Sequence, residues 1–156
     1  MTGRTMKKIL FVCTGNICRS VIAEHLFNKI IKNKNIEGVE ASSAGIEGNP
    51  EYKIYGYLAK LMTAKGIDYS RHKSRKITTI NPADYDLIIV MEQFHKNYIS
   101  RAYPGSKEKV KLLTELAGEG KIDIPDPLNR PDEVYDKVFE DINRCVAKIQ
   151  EVGSRV

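Results

Sequence analysis

The stretch from Cys13 to Ser20 constrains this chain more than any other feature. It reads Cys-Thr-Gly-Asn-Ile-Cys-Arg-Ser and lies between an apolar run at residues 9–12 and a helical pattern that begins at Val21. This order predicts a strand, a tight loop and a helix. A loop of this length can curl so that its backbone N–H groups point inward beside the helix N-terminus. The sequence therefore predicts a loop that binds a phosphoryl group.

The residue types in this loop fit nucleophilic attack on phosphorus. Gly15 and Asn16 tolerate the positive φ angles that tight curling requires. The guanidinium of Arg19 can bind two phosphoryl oxygens at once. Beside that charge and a helix N-terminus, we expect the Cys13 thiol to ionise readily and to form a thiophosphate intermediate. The Ser20 hydroxyl is positioned in the sequence to hydrogen-bond the sulfur and to aid its later departure.

Asp126 is the candidate general acid, because departure of an alkoxide or phenoxide requires a proton. It stands between Pro125 and Pro127, which restrict the backbone and so help to aim the carboxyl group. In the second step the same carboxylate would activate water. Neither step needs a metal, and the three histidines of the chain show no ligand spacing. We predict no metal and no cofactor.

Three further residues near this chemistry have alternative interpretations. Cys18 either packs under the loop or forms a reversible disulfide with Cys13 that protects it from over-oxidation, and geometry decides between the two. Cys145 falls on the apolar side of the last predicted helix, which favours a place in the core. His72 is either a surface residue or a buried support that hydrogen-bonds the phosphate loop.

Apolar periodicity along the chain alternates between strands and helices. The predicted strands are residues 7–12, 39–44, 86–91 and 110–113, the last being a strand or a strand-to-helix junction. The predicted helices are residues 21–32, 52–65, 92–100 and 132–152. Ile124–Pro131 must be an extended loop because it contains three prolines. This order predicts a three-layer α/β sandwich with a parallel sheet and a site at the carboxyl ends of the strands.

Length and composition bound the remaining possibilities. The 156 residues correspond to one domain, which we assign to residues 6–156, setting residues 1–5 aside as a candidate cloning remnant. Three cysteines and an N-terminus without an apolar signal region indicate free thiols and a cytoplasmic location. No apolar run approaches the ~18 residues of a membrane span, and no arginine-rich run suggests nucleic acid. The net charge of +5 is modest.

These features resemble the low-molecular-weight protein tyrosine phosphatase family. The resemblance rests on the Cys13–Ser20 loop after a first strand together with Asp126-Pro127 near the C-terminus, and it covers residues 7–152. It implies a central four-stranded parallel sheet flanked by helices. It also implies that Cys13 is the nucleophile, Arg19 the clamp for phosphate and transition state, and Asp126 the general acid and then base.

The same resemblance assigns supporting roles around the loop. Asn16, Ser20 and His72 would form the hydrogen-bond network that holds it, and Cys18 would be the oxidation partner of Cys13. The residues that would bind phosphate are Thr14, Gly15, Asn16, Ile17, Cys18, Arg19 and Ser20.

The chain departs from the family pattern mainly at the rim of the site. Leu128 and Asn129 follow the Asp-Pro pair where members often carry aromatic residues. The loop at residues 45–50 lacks an aromatic residue often found on the opposite wall, and Tyr52 is the candidate to replace it. Glu92 stands where an aspartate is usual, and Val21 replaces a common proline. The base of the site therefore matches the family better than its walls.

Four functions compete on this sequence. A phosphotyrosine phosphatase is favoured, with phosphotyrosine proteins as partners, inorganic phosphate as product and inhibitor, and a monomer or weak dimer as the state. A protein arginine phosphatase is disfavoured by Ile17, because those related enzymes tend to carry a small polar residue there. An arsenate reductase would need further thiols, and only Cys145 lies beyond the loop pair. A non-catalytic phosphoresidue-binding module is disfavoured because Cys13 and Asp126 are both present.

Overall fold

A parallel sheet of four strands forms the centre of the molecule, in the order β2-β1-β3-β4. The computed structural model describes residues 6–149. The strands are β1 (Lys7–Cys13), β2 (Val39–Gly45), β3 (Leu87–Val90) and β4 (Val110–Leu112). β1 and β3 are fully buried over most of their length, as expected for central strands of a parallel sheet whose two faces are covered.

Helices cover both faces of this sheet. The helices are α1 (Arg19–Asn33), α2 (Gly56–Ala64), α3 (Gln93–Ala102), α4 (Leu113–Leu116) and α5 (Asp132–Ile149). On one face, Phe11 and Ile89 pack in a cluster with residues of α1 and α5. On the other face, Leu10 and Val90 pack with Ile99 of α3. The predicted three-layer α/β sandwich with a four-stranded parallel sheet is confirmed.

The starts of two helices differ from the sequence prediction by two residues or more. The second helix begins at Gly56 and not at residue 52, because Asn49 closes a turn first: its side chain accepts the Glu51 N–H and its carbonyl accepts the Tyr52 N–H. The first helix begins at Arg19, two residues before the apolar pattern starts. The last predicted helix is present to Ile149, and its predicted extension to residue 152 lies outside the described residues, as do residues 1–5.

Several short elements carry no periodic pattern and were not predicted. Three 3₁₀ helices, at Ile77–Thr79, Pro82–Asp84 and Pro104–Lys109, connect the longer elements. Residues 110–113, predicted as a strand or a strand-to-helix junction, form the junction, since β4 ends at Leu112 and α4 begins at Leu113. Among residues 6–149, no helix combines the length and apolar character needed to cross a membrane.

The sheet order fixes the place of the site. The chain runs from β1 to β2 on one side and later returns to β3 on the other side of β1. Such a reversal leaves a crevice at the carboxyl ends of the two strands. Gly45 ends β2 there, and a Cβ at this position would lie 2.5 Å from the carbonyl oxygen of Thr14. A glycine therefore allows β2 to approach the loop that follows β1.

Candidate active site

The loop after β1 turns sharply and leads directly into α1. Cys13 is the last residue of β1, and Arg19 is the first of α1. Asn16 lies between them with φ of 57°, a left-handed conformation that asparagine tolerates better than most residues. The loop therefore lies against the N-terminus of α1, whose first N–H groups have no acceptor within the helix.

Cys13 and Ser20 are hydrogen-bonded across the loop. The Cys13 Sγ lies 3.0 Å from the Ser20 Oγ, and the Cys13 residue is 2% exposed. The Ser20 Oγ also accepts a hydrogen bond of 2.9 Å from the Asn16 Nδ2. Because that oxygen accepts from Asn16, its own proton is free to be donated to the sulfur. The Ser20 hydroxyl is therefore placed to stabilise the Cys13 sulfur by a hydrogen bond.

Asn16 is fully buried and connects the loop to two other segments. Its Nδ2 donates to the Ser43 Oγ at 2.9 Å as well as to Ser20. Its Oδ1 accepts the Arg75 backbone N–H at 3.0 Å, and its backbone carbonyl accepts from the His72 Nε2 at 2.8 Å. Every polar group of the Asn16 side chain is thus satisfied, and the loop is held from β2 and from the segment after residue 70.

We expect Asn16→Ala to destabilise the protein by about 3 kcal/mol, because it leaves buried polar partners unsatisfied and puts alanine in a left-handed conformation. Asn35→Ala is the matched control, since Asn35 has φ of 54° but is exposed. The control should cost only about 1 kcal/mol, the price of the backbone conformation alone. Urea denaturation of the two variants measures the difference. Equal losses would contradict a role for the Asn16 side chain.

The guanidinium of Arg19 is 2% exposed and is held from below by two acceptors. Its Nη1 donates to the Glu92 Oε2 at 2.6 Å and to the Ile124 carbonyl at 2.7 Å. Its Nη2 has longer contacts of 3.5 Å with Thr14 and Asp126. Burial alone would lower the pKa of Arg19, but the charges of Cys13, Glu92 and Asp126 outweigh it and raise that pKa. Arg19 therefore stays charged and is aimed at the loop.

His95 links Glu92 to the loop in a single tautomer. Its Nδ1 accepts the Glu92 backbone N–H at 3.0 Å, so the proton lies on Nε2, which donates to the Thr14 Oγ1 at 2.9 Å. Burial, followed by the charge of Arg19, lowers the pKa of His95 to about 3. His95 is consequently neutral, and its role is to orient Thr14.

Asp126 lies on the opposite side of the crevice from the loop and faces it. Its Oδ2 is 3.5 Å from the Arg19 Nη2, and its side chain is 41% exposed. Its Oδ1 accepts the Leu128 backbone N–H at 3.0 Å, which fixes the carboxyl group in the turn after Pro127. The fold therefore brings together Cys13, Arg19 and Asp126, the three residues predicted to carry the chemistry.

These residues line a cavity of about 550 Å³ above Cys13, a size typical of small-ligand sites. Two tyrosines form one wall: the rings of Tyr55 and Tyr135 lie 5.0 Å apart, centroid to centroid. Burial is the main cause that raises the pKa of Tyr135 to about 12, so its hydroxyl stays protonated. The remaining lining includes Thr14, Gly15, Ile17, Cys18, Glu47, Tyr52, Lys53 and Leu128.

The supporting residues occupy different places around this cavity. Cys18 lines it beside Cys13, and both are free thiols. Burial, followed by the charge of Cys13, raises the pKa of Cys18 well above its usual range, so this thiol stays protonated. Cys145 is fully buried in α5 within the core cluster. His72 is half-buried and donates to the loop through Asn16.

The chain matches the model of the low molecular weight phosphotyrosine protein phosphatase family over residues 8–154. The chain belongs to this family. Members of the family include Etp of Escherichia coli K12, a low molecular weight protein-tyrosine-phosphatase, which is 32% identical over 145 residues, or 93% of each chain. The chain is thus a phosphatase of the low molecular weight type.

Two solved structures of the family share this fold. The YwlE arginine phosphatase from Geobacillus stearothermophilus has a TM-score of 0.84 at 29% identity, and the match covers 96% of this chain and 94% of that one. The tyrosine phosphatase Wzb from Escherichia coli K30, in complex with sulphate, has a TM-score of 0.83 at 28% identity. That match covers 94% of this chain and 98% of the other. The family to which this phosphatase belongs therefore includes enzymes named for two different phosphoresidues.

Sequence reasoning missed several residues of the site. Glu92 and His95 were not assigned to it, although they anchor Arg19 and Thr14. Tyr55 was placed inside a helix and Tyr135 was given no role, yet both line the cavity. A Glu three residues before a His at a helix start is a capping-box pattern that could have drawn attention to Glu92 and His95. The tyrosines carry no comparable local pattern.

Proposed function

We propose that this phosphatase is a cysteine-dependent protein tyrosine phosphatase that hydrolyses phosphotyrosine in proteins. The observation that carries the proposal is the aromatic wall of Tyr55 and Tyr135 above the buried Cys13. Aromatic rings stack favourably on such a wall, with centroids roughly 4.5–7 Å apart. A phenyl ring held there would direct its phosphoryl group toward the loop.

In the first step, the Cys13 thiolate attacks phosphorus in line with the leaving oxygen. The S–P bond forms as the P–O bond to tyrosine breaks, and Asp126 donates its proton to that oxygen. Arg19 and the N–H groups of the loop neutralise the charge that spreads over the three equatorial oxygens. Glu92 and the Ile124 carbonyl hold Arg19 in the required orientation.

In the second step, Asp126 takes a proton from water, and the oxygen of that water attacks the phosphorus of the cysteinyl phosphate. The S–P bond breaks, and inorganic phosphate leaves. The Ser20 hydroxyl, 3.0 Å from the Cys13 Sγ, stabilises the departing thiolate. Because phosphate fits the same loop as the substrate, we expect it to inhibit competitively.

We expect Asp126→Asn to lower kcat by about 10²-fold or more for phenyl phosphate, in line with the usual contribution of general acid–base catalysis. The variant keeps the hydrogen bond to Leu128 but has no proton to donate. For p-nitrophenyl phosphate, the rate of the first step should fall less, because p-nitrophenolate leaves without protonation. Pre-steady-state release of the two phenols measures this. An equal loss in that phase for both substrates would contradict the acid role.

The depth of the cavity selects long side chains. Cys13 is 2% exposed and lines the cavity together with Ile17, Tyr55, Leu128 and Tyr135. A phosphoserine side chain is too short to bring its phosphorus to the sulfur across that wall. We therefore expect phosphoserine peptides to be poor substrates.

An arginine phosphatase is the second candidate, and a specific observation favours it. The YwlE enzyme named for that activity shares the fold, and the cavity of this chain holds two carboxylates, Glu47 and Asp126, that could face a guanidinium. Ile17 argues against this candidate, because its apolar side chain lines the cavity where a cationic guanidinium would have to lie. Burial beside an apolar group is unfavourable for a charge.

An arsenate reductase is disfavoured by the place of Cys145. The thiol lies fully buried inside α5 and outside the residues that line the cavity. Burial, followed by the charge of Glu119, raises the pKa of Cys145 to about 11. A protonated thiol in a rigid helix is a poor relay for a disulfide. Cys18 lies closer to the chemistry, and its reversible oxidation with Cys13 remains a proposal of regulation.

The test compares kcat/KM for one peptide sequence that carries phosphotyrosine or phosphoarginine at the same position. We expect the phosphotyrosine peptide to be preferred by at least about tenfold, a modest discrimination for a pocket contact. Ile17→Thr should lower the ratio of the two kcat/KM values. Val21→Thr is the matched control, because Val21 is a buried β-branched residue of α1. Faster turnover of the phosphoarginine peptide by the wild type would overturn the choice of substrate.

A further inference from the structure

A second cluster of chemically active side chains lies behind the phosphate loop. Glu24 and His25 are neighbours on α1, and His72 lies in the segment between α2 and β3. One ring nitrogen of each histidine and one carboxylate oxygen of Glu24 lie within 4.8 Å of one another. None of the three residues lines the cavity above Cys13. The cluster is thus separate from the proposed phosphoryl site.

Hydrogen bonds fix which nitrogen of each histidine carries the proton. The His25 Nδ1 lies 2.8 Å from the Val21 carbonyl, and the His72 Nε2 lies 2.8 Å from the Asn16 carbonyl. A carbonyl only accepts, so both of these nitrogens are protonated. The His25 Nε2 and the His72 Nδ1 consequently present lone pairs. Metal-ligating histidines usually donate their other ring N–H to a carboxylate, a backbone carbonyl or water, and here a backbone carbonyl accepts from each imidazole.

The carboxylate of Glu24 is oriented in the same way. Its Oε1 accepts a hydrogen bond of 2.5 Å from the Ser43 Oγ, and its Oε2 lies 3.9 Å from the His25 Nε2. The Ser43 Oγ in turn accepts from Asn16. The nearby cation Arg75 is engaged elsewhere, since its Nε donates to the Ser43 carbonyl. Two imidazole nitrogens and one carboxylate oxygen therefore converge to within 4.8 Å of one another.

We propose that Glu24, His25 and His72 bind a divalent transition-metal ion such as Zn²⁺. Two histidines and one glutamate are a known ligand set for zinc, with a fourth position left for water. A tetrahedral ion with bonds of ~2.1 Å holds its ligand atoms roughly 3.4 Å apart, so the cluster contracts by about 1 Å on binding. All three side chains are half-buried, which leaves both room for this contraction and a path for the ion.

The site is connected to the phosphate loop on two sides. His72 donates to the Asn16 carbonyl, and Glu24 reaches the Asn16 side chain through Ser43. An ion that fixes both residues restrains Asn16 from its backbone and from its side chain. We therefore expect bound metal to raise the melting temperature of the protein, as any ligand that binds the folded state alone does.

The test is a calorimetric titration of Zn²⁺ into the full chain after treatment with chelator, in a Cys13→Ser background so that the loop thiolate does not compete. We expect one ion per chain, and His25→Ala should weaken binding by more than about 100-fold, beyond the loss typical of an outer-shell partner. Glu24→Gln, which keeps an acceptor for Ser43, should also weaken it. Glu40→Gln, an exposed residue of β2, should leave it unchanged.

Three results would overturn the proposal. The first is the absence of saturable Zn²⁺ binding in the parent protein. The second is unchanged affinity in His25→Ala and Glu24→Gln when circular dichroism shows both to be folded. The third is a thiolate charge-transfer band when Co²⁺ replaces Zn²⁺, because it would assign the ion to Cys18 or Cys145. None of these measurements depends on phosphatase activity, so a failure of the metal proposal would leave the proposed function untouched.

Discussion

Replacing Cys13 with serine is expected to lower kcat by about 10⁵-fold or more, the scale observed when an essential nucleophile is removed. A serine hydroxyl is a weak nucleophile unless a base takes its proton, and Asp126 is needed in its protonated form for the first step. The loop itself should keep its structure, because the hydrogen bonds of Asn16 to Ser20, Ser43 and Arg75 do not involve the sulfur. The variant should therefore still bind phosphotyrosine peptides.

Two measurements separate the loss of chemistry from the loss of structure. Turnover of p-nitrophenyl phosphate reports the chemistry, and fluorescence titration with a phosphotyrosine peptide reports binding. Cys145→Ala is the matched control: it removes a buried thiol that lies outside the cavity and should change turnover by no more than about twofold, as expected away from a site. Undiminished turnover in Cys13→Ser would contradict the nucleophilic role.

Arg19→Lys is expected to lower kcat by about 10³-fold, within the range for loss of a group that stabilises transition-state charge. A lysine ammonium keeps the positive charge but cannot reach Glu92 and the Ile124 carbonyl while also presenting two parallel donors to a phosphoryl group. The effect should fall mostly on kcat and less on KM, because the planar fork matches the transition state better than the substrate.

Arg144→Lys is the control for this substitution. Arg144 makes two parallel hydrogen bonds to a carboxylate, with 2.8 Å from both Nε and Nη2 to Glu119, but it lies on α5 outside the cavity. We expect Arg144→Lys to have the same kcat and KM as the wild type. A higher KM with unchanged kcat in Arg19→Lys would show that Arg19 binds substrate without stabilising the transition state.

Much of the fold could be predicted because its determinants are local. The buried runs of β1 and β3 and the apolar stripe of α5 each lie within one stretch of sequence. The loop from Cys13 to Ser20 is likewise continuous, so the spacing of its cysteine and arginine was informative. Asp126 was predicted as the general acid because the prolines beside it restrict the backbone, and the structure places its Oδ2 3.5 Å from the Arg19 Nη2.

The residues that sequence reasoning missed are those whose roles depend on long-range packing. Glu92 meets Arg19 only because β3 lies beside β1 in the sheet. Tyr55 and Tyr135 form one wall only because the segment before α2 crosses the start of α5. The three histidines showed no ligand spacing, yet the fold brings His25 and His72 together beside Glu24. Periodicity and spacing carry no information about such contacts.

Hydrolysis is expected to pass through a phosphate covalently bound to Cys13. Asp126→Ala offers the most direct test with p-nitrophenyl phosphate, because the first step needs no acid for this leaving group whereas the second step lacks its base. Rapid acid quench and mass mapping of the peptides should find phosphate on Cys13. Phosphate on another residue, or steady turnover with no phosphorylated peptide at any time, would contradict the account.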